Sequence, residues 1–267
     1  MLGSTKQRKR VLLAVIGCIP VALAMLLLGG SLEWGSGPTY QGKTAHQWTR
    51  QLAREDANPI DVFKALKHLG PDTAGKHLLA ALDSPPYTAS TRYDRLWRMM
   101  PGWVNRRMPT PVRAEVWRHN VMELLPELDP VSRTNAATKL VAFLGSTNEF
   151  TRLKSMAVLS GLGIQKPEVT RALLNVVERG PQNEALTAAF ALHKLDPTNA
   201  ALVSVLLRWL RSDKAYVKLR TVEMLGHMGV VAEQALPALR GMLNETDEAL
   251  SNAAEDAARQ IERELKH

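Results

Sequence analysis

Three groups of residues in this 267-residue chain have types and spacing that could do chemistry. The first is Gly37-Pro38-Thr39-Tyr40-Gln41-Gly42-Lys43-Thr44, which fits G-x4-G-K-[ST]. In a phosphate loop of that form, backbone amides wrap the phosphates, the lysine reaches the outer ones and the threonine holds magnesium. Such a loop must leave a buried parallel strand and enter a helix. Here it follows a Gly/Ser-rich stretch, and Leu78–Asp83, the segment that would have to be the acidic partner strand, sits in a helical pattern. The plainer reading is a linker glycine followed by the first residues of a helix.

The second group is the histidines: His46, His68, His77, His119, His193, His227 and His267. No two stand at i,i+3 or i,i+4, and no His-Glu dipeptide occurs, so ligand spacing is missing and no metal site is expected. Serines and acids are plentiful, but no nucleophile–base arrangement is legible. The expectation is a protein without catalytic residues, cofactor or evident small-molecule substrate.

The third group is the stretch 84–118. It holds Tyr87, Tyr93, Trp97, Trp103 and Trp117 among seven arginines, with Asp94 and Glu115 as its acids. It breaks the helical rhythm around it, as loops that carry function often do. Arginine and tryptophan dominate interface hot spots, so Arg92, Arg95, Trp97, Arg98, Trp103, Arg106 and Arg107 are the candidate partner-binding residues. Two other readings stand beside this one. The arginines could meet anionic headgroups, each adding about 1 kcal/mol. Alternatively, Trp97 and Trp103 fill a joint between helix stacks, with arginines laid over them.

Stepping outward to charge, the net value of +8 is unevenly spread. Residues 1–30 carry four basic residues and no acid, residues 31–111 carry eleven basic and seven acidic, and residues 112–267 carry nineteen of each. A nucleic-acid-binding body would need a basic face; the neutral C-terminal half argues against nucleic acid as partner. The first excess has its own cause. Lys6, Arg8, Lys9 and Arg10 precede an uncharged apolar run, Val11 to Leu28. As a helix that run is about 27–30 Å long, close to a bilayer's hydrocarbon core. The positive-inside rule keeps the basic cluster in the cytoplasm and puts the body beyond Ser31 outside it, in the periplasm if the envelope is Gram-negative. A cleaved signal ending near Gly29-Gly30-Ser31 and a lipidated Cys18 after Val15-Ile16-Gly17 are the competing readings. Cys18 is the single cysteine, so the exported body can form no disulfide.

The rest of the chain positions these groups. Residues 31–42 read as a linker. Beyond them the pattern is helical almost everywhere, with no run of alternating β-branched residues that predicts a strand. Helices are expected over 44–54, 58–69, 73–82, 111–125, 131–144, 148–162, 167–178, 182–195, 198–210, 213–228, 232–243 and 247–265. The C-terminal half repeats. Leu159, Leu192 and Leu225 fall 33 residues apart, as do Leu153, Leu186 and Leu219, Met156, Ala189 and Val222, and Leu173, Leu206 and Leu239. Two helices at a fixed interval, each with an apolar face it cannot bury alone, predict an all-α solenoid.

The residues that carry this interval also carry a resemblance. Val217-Lys218-Leu219-Arg220, Met224-Leu225-Gly226-His227-Met228-Gly229 and Ala235-Leu236-Pro237-Ala238-Leu239 resemble a HEAT-type repeat. The front end, Tyr40-x-Gly42-Lys43 with Trp48, is similar to the lead-in of bacterial membrane-anchored HEAT-repeat proteins. The resemblance covers residues 131–267, with a fainter unit at 58–83. It implies a HEAT-like solenoid over 112–267, an N-terminal helical unit over 43–111, and a tethered, non-enzymatic scaffold or adaptor that binds a protein. Three further functions stand as alternatives, the first and last implied by other users of such repeats and the second by the phosphate-loop match. They are a bilin-lyase-like enzyme, nucleotide chemistry through Lys43 and Thr44, and the DNA binding of some alkyl-base glycosylases. The missing His-Glu pairs argue against the HEAT-like hydroxylases, whose iron such pairs hold.

Overall fold

The computed structural model describes residues 37–54, 56–106 and 108–267. The expected anchor at 11–28, Cys18 and the linker up to residue 36 lie outside the described residues. Among the described residues no helix is long and apolar enough to cross a membrane. The chain forms two compact units that divide between Leu124 and Leu125.

Unit 1 opens with a feature the sequence reading assigned to a linker. Thr39–Tyr40 (β1) and Lys43–Thr44 (β2) pair antiparallel, with Tyr40 opposite Lys43. The connecting Gln41 and Gly42 have φ of 50° and 73°. Positive φ at both central residues is the geometry of a two-residue hairpin turn, which glycine permits at the second position. The correction is local, because two-residue strands are too short to show alternation. Four helices then pack together: Ala45–Gln51 (α1), Pro59–Leu69 (α2), Thr73–Asp83 (α3) and, further on, Ala114–Glu123. Thr44 and Gln47 form a reciprocal capping box at α1, and Asn58 caps α2 ahead of Pro59, as these residue types favour. Between α3 and the last of these helices come Thr91–Met99 (α4) and the short Gly102–Asn105 (α5); Ala114–Glu123 is therefore α6.

The sequence pattern had placed α6 at the head of the solenoid and started it at Pro111. It belongs to unit 1. Trp117 Nε1 donates to the Ala81 carbonyl at 2.8 Å, and Asn120 Nδ2 donates to that of Leu52 at 2.8 Å. Pro111 and Val112 are not helical, because the Val112 amide donates instead to the Thr88 carbonyl at 3.0 Å.

Unit 2 is a two-layered helical repeat. The first layer is Glu149–Leu162 (α8), Gln182–Leu195 (α10), Ala215–Met228 (α12) and Glu248–Glu264 (α14), whose first residues are spaced by 33. The second is Pro130–Phe143 (α7), Pro167–Arg179 (α9), Ala200–Trp209 (α11) and a broken element around Leu236–Gly241 (α13). Within each layer successive helices touch, and each pair also packs across the layers. The repeat interval reappears as burial. Leu159, Leu192 and Leu225 are at most 1% exposed, and Leu173, Leu206 and Leu239 are fully covered. Leu153, Leu186 and Leu219 are half-buried at the edge of the same faces.

One departure has a physical cause. The expected helix over 232–243 is a 3-10 segment at Gly229–Ala235, then α13, then Met242–Asn244 in 3-10 form. Gly229 at φ 58°, ψ −132° turns the chain out of α12 into a region that a side chain disfavours, and Pro237 removes an amide from the next turn. In α11, Trp209 is half-buried beside the covered Leu202, Val205 and Leu206.

One position breaks the apolar rule of the first layer. Thr151, Glu184, Val217 and Leu250 are equivalent by interval and all are buried. Glu184 keeps its charge because Arg152, one unit earlier, reaches it with Nε–Oε2 at 2.8 Å and NH2–Oε1 at 2.6 Å. The same guanidinium donates to the Ser146 carbonyl at 2.7 Å. These bonds from Arg152 hold the Glu184 carboxyl below the ordinary value of 4.5, against burial, which pushes it up. The folded value lies below the unfolded one, so this stabilisation is complete above about pH 5 and is lost as acidity passes the folded value. Removing only Arg152 (Arg152→Met) strands a buried carboxylate and should cost about 3–5 kcal/mol. The double change Arg152→Met/Glu184→Leu should cost far less and flatten the acid limb; urea midpoints measured between pH 3 and pH 7 check both.

Candidate functional site

The stretch 84–118 divides into a packed part and a projecting part. Ser90 caps α4 through the Tyr93 amide. Tyr93 turns inward at 1% exposure, and its hydroxyl donates to the Pro109 carbonyl at 2.6 Å, tying the two ends of the segment together. Trp117 is also interior, at 3% exposure. Trp97 is half-buried, with its indole N–H covered and without a hydrogen-bond acceptor.

The outward side of α4–α5 is different. Arg92, Arg95, Arg98 and Arg106 are exposed, and so are Met99 at 75% and Trp103 at 55%. Asp94, the acid of this helix, is held by Arg98 at 3.0 Å. Arg106 Nε donates to the Gly102 carbonyl at 2.9 Å, which turns the guanidinium back along α5. The structure therefore brings Arg92, Arg95, Arg98, Trp103 and Arg106 to one projecting helix pair, sets Trp97 on its inner edge, and leaves Arg107 outside the described residues. Trp103 does not fill a joint, and the interior tryptophan of the stretch is Trp117, bonded to α3 within unit 1.

Sequence reasoning missed a second feature, at the hairpin. Trp48 Nε1 donates to the Tyr40 carbonyl at 3.0 Å, Tyr40 stacks on His68 at 4.6 Å between ring centres, and Lys43 Nζ lies 4.4 Å from the Trp48 ring centre. The lysine and threonine of the phosphate-loop match are thus engaged locally: Lys43 on an indole, Thr44 as the cap of α1. The hairpin, α1 and α2 frame an open cleft of about 500 Å³, lined by Tyr40, Gln51, Arg54, Asp56, Asn58, Asp61 and Lys64 among others. Arg54 and Asp56 pair across its rim at 2.8 Å, and this bond holds the Asp56 carboxyl below its ordinary range. The available signal was Gln41-Gly42 as a two-residue turn, read instead as part of a linker.

Burial pushes His77 and His193 below the ordinary imidazole value, with a smaller push from Lys76 and His46 on the first and from His227 on the second. Among the described residues no three His, Cys, Asp or Glu side chains group as a metal site.

No family model matches this sequence, and no curated protein matches it. Solved structures do. An engineered protein solved as a Northeast Structural Genomics Consortium target is 16% identical over 82% of this chain and 97% of its own, with a TM-score of 0.42. A designed armadillo repeat protein in complex with the peptide (KR)4 is 14% identical over 82% of this chain and 100% of its own, with a TM-score of 0.47. At those scores the repeat architecture rests on the packing of the helices themselves.

The division of labour among the tryptophans is measurable. Trp117→Ala removes a buried ring and its bond to Ala81, so a loss of about 3–5 kcal/mol is expected. Trp103→Ala should stay within about 0.5 kcal/mol of the parent. Urea unfolding followed by circular dichroism separates the two.

Proposed function

We propose that this chain is a non-enzymatic, membrane-tethered scaffold of HEAT type whose helical-repeat body lies outside the cytoplasm and binds a protein partner. The observation that carries it is the register of unit 2. Because the covered Leu173, Leu206 and Leu239 keep the 33-residue interval in the second layer, exposed side chains at the same interval fall into rows. Arg171, Ser204 and Pro237 form one such row, and Asn175, Arg208 and Gly241 the next; all six are exposed. Stacked repeats present surfaces of this kind to extended partners, and here small residues between arginines leave the backbone approachable while the guanidinia supply directed hydrogen bonds. The anchor is supported by the apolar run 11–28 behind four basic residues.

Two measurements test this reading. Protease added to spheroplasts, whose outer barrier is open, should digest the body, whereas digestion only after the inner membrane is lysed would put the body in the cytoplasm. Arg171→Glu/Arg208→Glu should lower recovery of a crosslinked partner about tenfold or more with an unchanged unfolding midpoint. Undiminished recovery would move the contact elsewhere.

A further inference from the structure

The projecting pair α4–α5 carries charge and apolar surface that neither unit uses. Three exposed arginines on it, Arg92, Arg95 and Arg106, have no carboxylate partner among the ion pairs of the described residues, while Arg98 spends its charge on Asp94. Between them stand Met99 and Trp103, two of the three large apolar side chains of unit 1 that are more than half exposed, the third being Ile60 on α2. Methionine and tryptophan tips set in a field of arginines match the boundary between acyl chains and anionic headgroups, where an indole sits at headgroup depth and a guanidinium binds phosphate.

The sequence says what lies within reach. Ten residues separate Leu28 from Thr39, and fully extended they span about 35 Å. A unit of about 90 residues is roughly 30 Å across, so any of its faces can turn to a bilayer that holds residues 11–28. Charge follows the same order along the chain: the excess of basic residues beyond the anchor falls within 31–111, and the remainder is neutral. A protein-docking role would not require the basic face to be in the unit nearest the tether.

We infer that α4–α5 docks on the anionic surface of the bilayer, with Trp103 and Met99 at headgroup depth and Arg92, Arg95 and Arg106 on lipid phosphates. The inference rests on the tethered reading above. The full chain would be reconstituted into vesicles of chain-brominated phosphatidylcholine containing about one-third phosphatidylglycerol, and into vesicles without the anionic lipid. The expected result is a quenched component of tryptophan emission in the anionic vesicles. It should vanish in Trp103→Phe, in Arg92→Gln/Arg95→Gln/Arg106→Gln and in the zwitterionic vesicles, while all samples float with lipid after an alkaline wash and keep the parent's helical circular dichroism. Chains that leave the vesicles on washing would sink the tether itself. Chains that float but show no Trp103-dependent quenching would overturn the docking, and so would a photo-crosslinker at Met99 that captures protein instead of lipid in native membranes.

Discussion

The structure of unit 2 depends on how closely one first-layer helix can approach the next. The seventh residue of each, Ser155, Ala188, Thr221 and Ala254, is fully buried, and every one is small. The two hydroxyls are satisfied within their own helices, Ser155 Oγ donating to the Thr151 carbonyl and Thr221 Oγ1 to that of Val217, each at 2.7 Å. Small side chains at that level let the flanking leucines of consecutive units interlock, and burial of such leucines contributes about 1.5–3 kcal/mol apiece. At the last junction the approach is closer still: a Cβ on Gly226 would stand 3.0 Å from Ala257. Everything else in the unit follows from keeping this spacing for four helices.

The interval also decides where irregularity is tolerated. Glu184 occupies a position that its equivalents fill with Thr151, Val217 and Leu250. It survives there because Arg152 supplies a two-bond partner from the preceding unit. A link of this kind adds little net stability over an apolar residue of similar volume, whereas losing one partner alone is costly. At the far end α14 closes the stack, with Leu250, Ala254 and Ile261 turned inward and the pairs Arg240–Glu262 and Arg259–Glu255 on its outer side. Without such a polar outer face a terminal repeat would expose the surface that neighbours normally cover.

Unit 1 solves a different problem, with four packed helices of unequal spacing and a pinned front end. Trp48 is the pivot there: its ring takes the Lys43 ammonium while its N–H fixes the Tyr40 carbonyl. The phosphate-loop spelling from Gly37 to Thr44 is therefore spent on holding the entry to α1. The tie from Tyr93 to Pro109 plays the matching part for the inserted segment, closing it into a projection whose outward side carries arginines, Met99 and Trp103.

Apart from α4, α5 and the broken element over 229–244, helix positions were legible in the amino-acid sequence, as were the 33-residue interval and the covered Leu159, Leu192, Leu225, Leu173, Leu206 and Leu239, because helical periodicity and caps such as Asn58, Asp129, Asn148 and Asp247 are local properties. The run at 11–28 and the cluster of arginines and aromatics at 84–118 were legible for the same reason. Tertiary structure alone decided the rest. Which tryptophans are core and which project depends on partners far away in the chain, Ala81 for Trp117 and none of comparable reach for Trp103. The membership of α6 in unit 1 rests on bonds spanning 36 and 68 residues, and the hairpin at Tyr40–Lys43 on a positive-φ turn too short to show in a hydrophobic pattern. Periodicity reports the face a segment must hide; only the packed chain determines what covers it.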